Sequence, residues 1–401
     1  MAATAEDVKP RFELLHLWVN DAERYALRAI SDPVMASGVD WSESIVAKNF
    51  LGVRAAFAER LALGVPPEGV FWIGDNGAAR LVRDGLFRPI PDRIGTWAFS
   101  DHLIPEVYDA VKMGNAITVL PLGIHLQNRM IYNIDILTRL GLKAPESWQA
   151  LLDMAPILAE HGINAITLSD ERWQMRFFVT AVLSEMLTGE ELRKLLTGTA
   201  PAREFEPQLT RMVALMLALR PYADPASHDL VWGTVVENVA VGTAFAAFLG
   251  DFAAPVVART SSIRCAAPPG SNYLMWSFDT FAMTESDDPA VIAGQEEVIK
   301  AVIDRDIQTE YVRRKGGIPA YRDTDPAILD PCSRASVASW KDTGEKIFLP
   351  AAEWSQSLNV IASVVRTAWH DPSQTTASIT AEMIAALDGL YASEYSARLG
   401  Q

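Results

Sequence analysis

The chain has 401 residues, and its 50 acidic and 35 basic side chains give a formal net charge of -15 at pH 7. This length predicts roughly two or three domains, and 49% hydrophobic against 21% charged residues is typical of globular proteins. The acidic balance argues against nucleic acids and anionic membranes as partners, because both are bound by basic surfaces. It also disfavours a strongly anionic ligand, unless local basic residues overrule the average.

No apolar run reaches the length of about 18 residues that a membrane-spanning helix needs, and the longest candidate, residues 239–248, is too short. The first seven residues lack the basic region and apolar core of a signal peptide, which leaves a cytosolic protein or a mature secreted protein as alternatives. Cys265 and Cys332 could form one bridge in an oxidising compartment or be two separate buried thiols.

Short apolar runs predict strands, and apolar positions at helical spacing predict helices. The predicted strands are residues 13–19, 69–73, 116–124 with a break at Pro121, 163–168, 263–267 and 273–282. The predicted helices are 21–31 with Asn20 and Asp21 at its start and disruption at Pro33, 50–63, 132–140, 147–161, segments within 173–219, 289–303, 350–369 and 379–399. This order predicts an α/β fold with helices in excess.

Catalytic motifs are missing from the sequence. It contains no G-x-S-x-G elbow, no phosphate-binding P-loop, and no G-x-G-x-x-G after a strand. Its histidines show no H-x-x-x-H spacing and its cysteines no C-x-x-C, so we expect no metal, no cofactor and no catalytic residue. An enzyme that uses two carboxylates across a cleft, as glycosidases do, is the alternative.

Four tryptophans each stand beside a polar residue at a predicted strand end or helix start: Trp18, Trp72, Trp173 and Trp276. Ligands of open α/β sheets bind beyond the carboxyl ends of the strands. An aromatic ring can stack on the apolar face of a sugar while polar side chains bond its hydroxyls. The pattern favours sugar binding, and ordinary core packing is the alternative for each ring.

Several segments along nearly the whole chain carry a resemblance to a known family. They are PLGIHLQNRMIYN at 121–133, LGL at 140–142, PESW at 145–148, GTAFAAFLGDF at 242–252, PPG at 268–270, WSFD at 276–279 and KGGIP at 315–319. In this order they resemble the family 1 extracellular solute-binding proteins of ABC-type sugar importers. The start HLWVNDAE at 16–23 is similar to the glucose- and oligosaccharide-binding branch, with Leu17 in place of a second tryptophan and Phe252 as a further departure.

The resemblance implies a helix-rich, two-lobed periplasmic-binding-protein-like fold of the Venus-flytrap, type II-like kind. The N-terminal lobe would comprise residues 1–122 and 281–318, and the C-terminal lobe 123–280 and 319–401, with hinges near 122, 280 and 318. The resemblance further implies a periplasmic, monomeric protein that is not an enzyme. Its partners would be a carbohydrate ligand and a transmembrane permease, although a receptor that reports its ligand to a sensor would show the same resemblance.

The resemblance also implies which residues meet the ligand. They are Trp18, Asn20, Glu23, Asp75 next to Gly74, His125, Gln127, Trp173, Gln174, Gly250, Asp251, Trp276, Asp279, Lys315 and His370. Some of them, and their neighbours, have structural alternatives. Asp251 could cap a helix, His16 could lie in a strand core, and Lys315 could be a solvated side chain.

Overall fold

A computed structural model describes residues 9–46, 50–226, 230–258, 260–322, 324–349 and 355–399. The strands in chain order are β1 (Arg11–His16), β2 (Asp40–Ile45), β3 (Gly69–Ile73), β4 (Ile90–Pro91), β5 (Arg93–Ile94), β6 (Trp97–Ala98), β7 (Lys112–Met113), β8 (Ala116–Ile117), β9 (Leu120–Leu126), β10 (Met130–Asn133), β11 (Asn164–Ile166), β12 (Ala244–Phe248), β13 (Ile263–Ala266), β14 (Leu274–Met283), β15 (Ile318–Pro319) and β16 (Lys346–Phe348).

The helices in chain order are α1 (Asp21–Ala36), α2 (Phe50–Ala62), α3 (Asn76–Arg83), α4 (Phe99–His102), α5 (Pro105–Val111), α6 (Ile134–Leu140), α7 (Trp148–Glu160), α8 (Arg172–Met186), α9 (Gly189–Thr197), α10 (Glu206–Leu219), α11 (Trp232–Val241), α12 (Ala254–Val257), α13 (Pro289–Ile303), α14 (Arg305–Lys315), α15 (Pro331–Asp342), α16 (Ser355–His370) and α17 (Thr376–Leu399).

The chain divides into two compact units. Unit 1 contains the described residues up to His125 and the described part of Ser277–Arg334. Unit 2 contains the described residues of Leu126–Trp276 and Ala335–Leu349, and those from Ser355 onward. The lobe boundaries and hinge positions given in the sequence analysis stay predictions.

The main sheet of unit 1 has the strand order β15-β9-β14-β3-β1-β2. β1 pairs in parallel with β2 and β3, whereas β14 runs antiparallel to β3, with Asp279 opposite Ile73. Helix α13 packs on β1 at Gly294, where an added Cβ would lie 2.0 Å from the Arg11 carbonyl oxygen. The pairing of β14 with β3 puts Asp279 opposite Ile73, at the carboxyl end of β3 and at the edge where ligands of α/β sheets bind.

Unit 2 is built around a smaller sheet with the order β11-β12-β10-β13. Its helices bury a large apolar core in which β12, AFAAF, lies with every residue buried. Helix α8 packs against α16, and most of its side chains are buried. The helical excess expected from the sequence is therefore concentrated in this unit.

Several predicted elements are confirmed. The strand at 69–73 and the helix at 289–303 have the predicted bounds, and the helix predicted at 50–63 ends one residue earlier. Ser147 caps α7 through its hydroxyl, which accepts the Ala150 backbone N–H at 3.1 Å. Neither Cys265 nor Cys332 is a free cysteine, because both are disulfide-bonded.

Other predictions were wrong at element ends. The helix predicted from Tyr132 begins at Ile134, because Tyr132 belongs to β10 and the Asn133 side chain caps α6 by accepting the Asp135 and Ile136 backbone N–H groups. The strand predicted at 13–19 ends at His16. A short apolar run does not by itself show where strand pairing stops.

Two prolines lie inside elements that they were predicted to interrupt. Helix α1 continues through Pro33 to Ala36. Proline removes one backbone hydrogen bond, but the buried face of α1, which includes Ile30 and Val34, holds the helix in place. Pro121 lies inside β9, outside the residues that pair with β15, so the predicted break falls instead between β8 and β9. The helix predicted from 350 is seen from Ser355, and its predicted start lies outside the described residues.

Candidate functional site

The turn between β1 and α1 fixes three of the predicted site residues in unit 1. The Trp18 backbone N–H donates to His16 Nδ1 at 3.1 Å. Asn20 caps α1, because its Oδ1 accepts the Glu23 N–H at 2.8 Å while its Nδ2 donates to Glu23 Oε2 at 2.6 Å. The Glu23 carboxylate is therefore held on the first turn of α1.

His16 supports this turn from the strand core, as the structural alternative predicted. It is fully buried in β1, and its Nε2 lies 3.3 Å from Glu43, which also accepts the Trp41 indole N–H at 3.0 Å. Because Nδ1 accepts the Trp18 N–H, the proton of the neutral ring stands on Nε2. Burial lowers the pKa of His16 against the opposing effect of Glu43, which favours that neutral ring.

Four charged or ionisable side chains of unit 1 form what we call the charged cluster: Glu23, His125, Asp279 and Lys315. Asp279 on β14 lies 3.2 Å from His125 Nε2 on β9 and 3.9 Å from Lys315 Nζ at the end of α14. Lys315 Nζ is also 3.7 Å from Glu23. The predictions for these residues thus converge on one place, and the solvated alternative for Lys315 is wrong because its exposed fraction is 6%.

The two carboxylates of the charged cluster are shifted in opposite directions. Burial raises the pKa of Glu23 and Asp279 adds to this, while Lys315 opposes it. Burial also acts to raise the pKa of Asp279, but His125 and Lys315 together bring it below its ordinary value. Asp279 is therefore the more firmly ionised of the two, since both of its neighbours stabilise its charged form.

Aromatic rings surround the cluster. Trp18 is 2% exposed, and its ring centroid lies 4.8 Å from that of Phe71. Lys315 Nζ lies 5.7 Å from the centroid of the Trp18 ring. The face of the Trp18 ring thus attracts the Lys315 ammonium group through a cation–π interaction. Tyr311, which is not among the predicted site residues, has a buried hydroxyl without a hydrogen-bond partner in the described chain. Its i, i+4 spacing to Lys315 on α14 would have placed the two on one helical face.

Asp75 lies in a separate polar arrangement of unit 1. Its carboxylate caps α3 at the Ala78 N–H (3.0 Å), accepts the Trp72 indole N–H (2.9 Å) and stands 3.7 Å from Arg54. Burial raises the pKa of Asp75, and these partners act against that rise. Gly74 is needed here because an added Cβ would lie 2.1 Å from the Phe278 ring.

In unit 2, Trp173 and Gln174 stand at the start of α8, as predicted. Both donate to the Glu171 carboxylate, and Gln174 Oε1 is buried without a partner among the described residues. Trp173 is half-buried and belongs to an aromatic cluster whose ring centroids lie 5.6–6.3 Å apart, formed by Trp173, Phe177, Trp232 and Phe252. Trp173 is thus an aromatic side chain with part of its surface open.

The loop after β12 approaches the same cluster. An added Cβ at Gly250 would lie 2.6 Å from Phe252 and 3.2 Å from Phe177, so only glycine fits without displacement. Asp251 follows at 6% exposure and does not cap the short helical turn that begins with it.

Trp276 and Gln127 take other places in unit 2. Trp276 is the third residue of β14, which corrects its predicted position at a strand end, and its ring packs against Phe348 at 4.7 Å and Trp340 at 5.2 Å. Gln127 is half-buried, and its backbone N–H donates to the Met275 carbonyl at 2.7 Å.

His370 lies at the end of α16 beside an acidic side chain that is not among the predicted site residues. Its Nε2 is 3.2 Å from Asp170, which also contacts Arg366 at 3.4 Å. His370 lines a pocket of about 220 Å³ with Arg220, Asp224 and Trp369 among its other walls. Asp170 is far from His370 in sequence, and no local motif joins them.

Within the described residues, no three His, Cys, Asp or Glu side chains are grouped so that they could hold a metal ion. The same part of the chain contains no helix whose length and apolar character would let it cross a membrane.

These elements and sites define a class of protein. Residues 52–263 match the family model for bacterial extracellular solute-binding proteins, and the chain belongs to this family. This match to a family of binding proteins confirms the resemblance found in the sequence.

Relatives and solved structures agree with that assignment. A probable sugar-binding periplasmic protein of Rhizobium meliloti is 24% identical over 86% of this chain and 84% of its own length. A protein of the same description from Brucella suis is 24% identical over 84% and 81%.

Two solved structures show the fold. A chitin oligosaccharide binding protein matches with a TM-score of 0.78 at 16% identity, covering 96% of this chain and 100% of its own. The solute-binding protein RafE in complex with raffinose matches at 0.76 with 12% identity, covering 95% and 99%. The chain therefore has the two-lobed periplasmic-binding-protein fold that the sequence predicted.

Proposed function

We propose that the chain binds a sugar or sugar derivative, releases it chemically unchanged, and delivers it to the permease of an ABC importer. The observation that carries the proposal is the charged cluster beside the β1–α1 turn. It unites two carboxylates, an ammonium group and an imidazole at the carboxyl edge of the unit 1 sheet. Such a set both accepts from and donates to hydroxyl groups.

Unit 2 supports the proposal with groups of its own. The half-buried ring of Trp173 offers an apolar face, and Gln174 Oε1 next to it is an unused acceptor within the described residues. An aromatic face for C–H groups and polar atoms for hydroxyls is the combination that a sugar requires. The relatives described as sugar-binding periplasmic proteins and the raffinose complex point the same way.

We further propose that sugar is held between lobes that close on it, with residues 1–122 and 281–318 in one lobe and hinges near 122, 280 and 318. Gly316 and Gly317 have φ values of 80° and 95°, which glycine adopts far more readily than other residues. Segments that absorb a domain rotation concentrate the change at a few such positions. Sugar stabilises the closed state through the contacts it makes only there.

We also propose that the protein is periplasmic and monomeric, and that it does not bind nucleic acid. The names of its relatives support the location. So does the oxidised state of Cys265 and Cys332, because disulfides persist in the periplasm and are rare in the cytosol.

Thermal unfolding with a panel of mono- and oligosaccharides tests the proposal. A sugar at a hundred times its Kd adds about 2.7 kcal/mol to the unfolding free energy, which raises Tm measurably. Lys315→Met should abolish that rise, whereas Lys300→Met, at an exposed lysine on α13, should preserve it.

Mass spectrometry of the recovered sugar separates binding from catalysis. Intact sugar supports capture without chemistry, and consumption of the sugar overturns it in favour of an enzyme. A panel in which no carbohydrate raises Tm refutes the proposed ligand class.

A further inference from the structure

Arg129 is the least satisfied buried charge among the described residues of unit 2. It lies between β9 and β10, and its exposed fraction is 3%. Its Nη1 donates to Ser339 Oγ on α15 at 3.2 Å. Its Nε and Nη2 are buried, and neither has a hydrogen-bond partner within the described residues.

Such an arrangement is costly. An arginine stays charged at any physiological pH, and a buried cation without hydrogen bonds loses its hydration with no replacement. Burial lowers the pKa of Arg129, and Asp251 acts in the opposite direction. Asp251 therefore offsets part of the electrostatic cost, while the Nε and Nη2 N–H groups still lack acceptors.

The two unpaired nitrogens are adjacent, because Nε and Nη2 form one edge of the planar guanidinium group. Two N–H bonds along this edge are parallel and match the two oxygens of a carboxylate, which is the geometry of bidentate arginine–carboxylate pairs. Ser339 binds the remaining nitrogen and so fixes the plane in which the edge lies.

Helix α15 brings further groups that suit a sugar. Ser336, one turn before Ser339, has a buried hydroxyl without a partner in the described chain. Trp340 follows on the same helical face and packs edge-on against Trp276 at 5.2 Å. Unit 2 thus combines, around α15, the unpaired edge of Arg129, the unpaired hydroxyl of Ser336 and the indole rings of Trp340 and Trp276.

From these contacts we propose that Arg129 binds the carboxylate of an acidic sugar, so that the physiological ligand is a uronic acid or a glycan ending in one. The inference rests on the proposed sugar-binding function and names the ligand's class. The net charge of -15 disfavours anions in general. A desolvated guanidinium overrules that average locally, because a carboxylate in contact with it interacts strongly at low dielectric and salt screens the buried pair little.

Isothermal titration calorimetry on the full chain with two matched pairs tests the inference: glucuronate against glucose, and galacturonate against galactose. We expect the acid of at least one pair to bind about 10- to 100-fold more tightly than its neutral partner, as expected for hydrogen bonds to a charged group. Arg129→Gln should remove this preference and leave the neutral sugar's affinity within about threefold. Arg139→Gln, at an exposed arginine on α6, should change neither.

Two further results guard against misfolding as an explanation. Arg129→Lys keeps the charge and loses the two-pronged edge, so it should retain only part of the preference. The preference of the unaltered protein requires no variant at all.

The outcomes separate the two proposals. If neutral sugars bind as tightly as their acids, or if Arg129→Gln weakens both equally, the acidic ligand is refuted while sugar binding stands. If no carbohydrate binds, the proposed function itself fails.

Discussion

The charged cluster of unit 1 and the Arg129 neighbourhood of unit 2 solve the burial of charge in different ways. In the charged cluster, Asp279 lies within 3.9 Å of both His125 and Lys315, and Lys315 also approaches Glu23. At Arg129, one nitrogen is bonded and two are not. The first group contains compensating charges of its own, whereas the second has N–H groups that a ligand or water must satisfy.

This difference has a consequence for mutations. Removing Asp279, the firmly ionised carboxylate of the charged cluster, leaves buried Lys315 less well compensated and destabilises the fold. Removing a group that already lacks partners costs the fold little and affects the ligand instead. The predictions below test this division, beginning with the largest expected effect.

Asp279→Asn should destabilise the protein most, by about 3 kcal/mol, because it removes the more firmly ionised of the two carboxylates beside buried Lys315. Urea unfolding measures the change. The control Asp101→Asn, at an exposed aspartate of α4, should fall within about 0.5 kcal/mol of the unaltered protein. Equal stability of the two variants would show that the cluster is not compensated as described.

Gly317→Ala should cost about 2 kcal/mol, because φ is 95° and the new Cβ would lie 2.6 Å from the Ile124 carbonyl oxygen. It would also press on the His125 ring, at 2.9 Å from Nδ1, and so weaken sugar binding. The matched variant Gly233→Ala, in α11 with open space around it, should gain up to about 1 kcal/mol. Thermal unfolding of both variants decides the sign.

Ser339→Ala and Ser336→Ala form a pair that compares a bonded with an unbonded hydroxyl. The first should cost about 1 kcal/mol, because Arg129 loses the hydrogen bond that it donates to Ser339. The second should leave stability unchanged or slightly higher, since it removes a buried hydroxyl that has no partner in the described chain. Chemical denaturation of both proteins gives the comparison, and a greater loss in Ser336→Ala would contradict it.

Glu23→Gln should change mainly the pH dependence of stability. The folded pKa of Glu23 lies above its ordinary value of 4.5, so the native state keeps the proton longer than the unfolded chain does. The associated stability is complete below pH 4.5 and is lost as the pH rises through the folded pKa. Glu23→Gln should therefore gain stability relative to the unaltered protein as the pH is raised from 4.5.

Asp279 affects the pH dependence of stability in the opposite direction, at the acidic end. Its folded pKa lies below the ordinary value of 3.8, so its contribution is present above pH 3.8 and is lost as the pH falls through the folded pKa. Glu59→Gln, at an exposed glutamate of α2, is the control and should follow the unaltered protein throughout. A Glu23→Gln profile parallel to that control would refute the raised pKa.

Much of the fold could be predicted from local pattern. Apolar periodicity predicted α2, β3 and α13 nearly to the residue, because a buried face imposes its spacing on the sequence. Capping predicted the starts of α1 and α7 through Asn20 and Ser147, whose side chains bond the backbone nearby. These are interactions over three or four residues.

The boundaries that failed depend on partners elsewhere in the chain. β1 ends at His16 although apolar residues follow, and Tyr132 joins β10 although it opens a helical pattern. Strand pairing decided both, because its hydrogen bonds come from residues far away in sequence.

The sequence by itself determined the α/β elements, their capping residues and the family. It also predicted that an aromatic ring, an amide and a carboxylate follow the first strand of the unit 1 sheet, at Trp18, Asn20 and Glu23. Only the tertiary structure decided that Asp279 meets His125, 154 residues away, and that Arg129 is buried with an unpaired edge. The reason is physical: desolvation and charge pairing depend on the atoms within a few ångströms, and those atoms are supplied by distant segments of the chain.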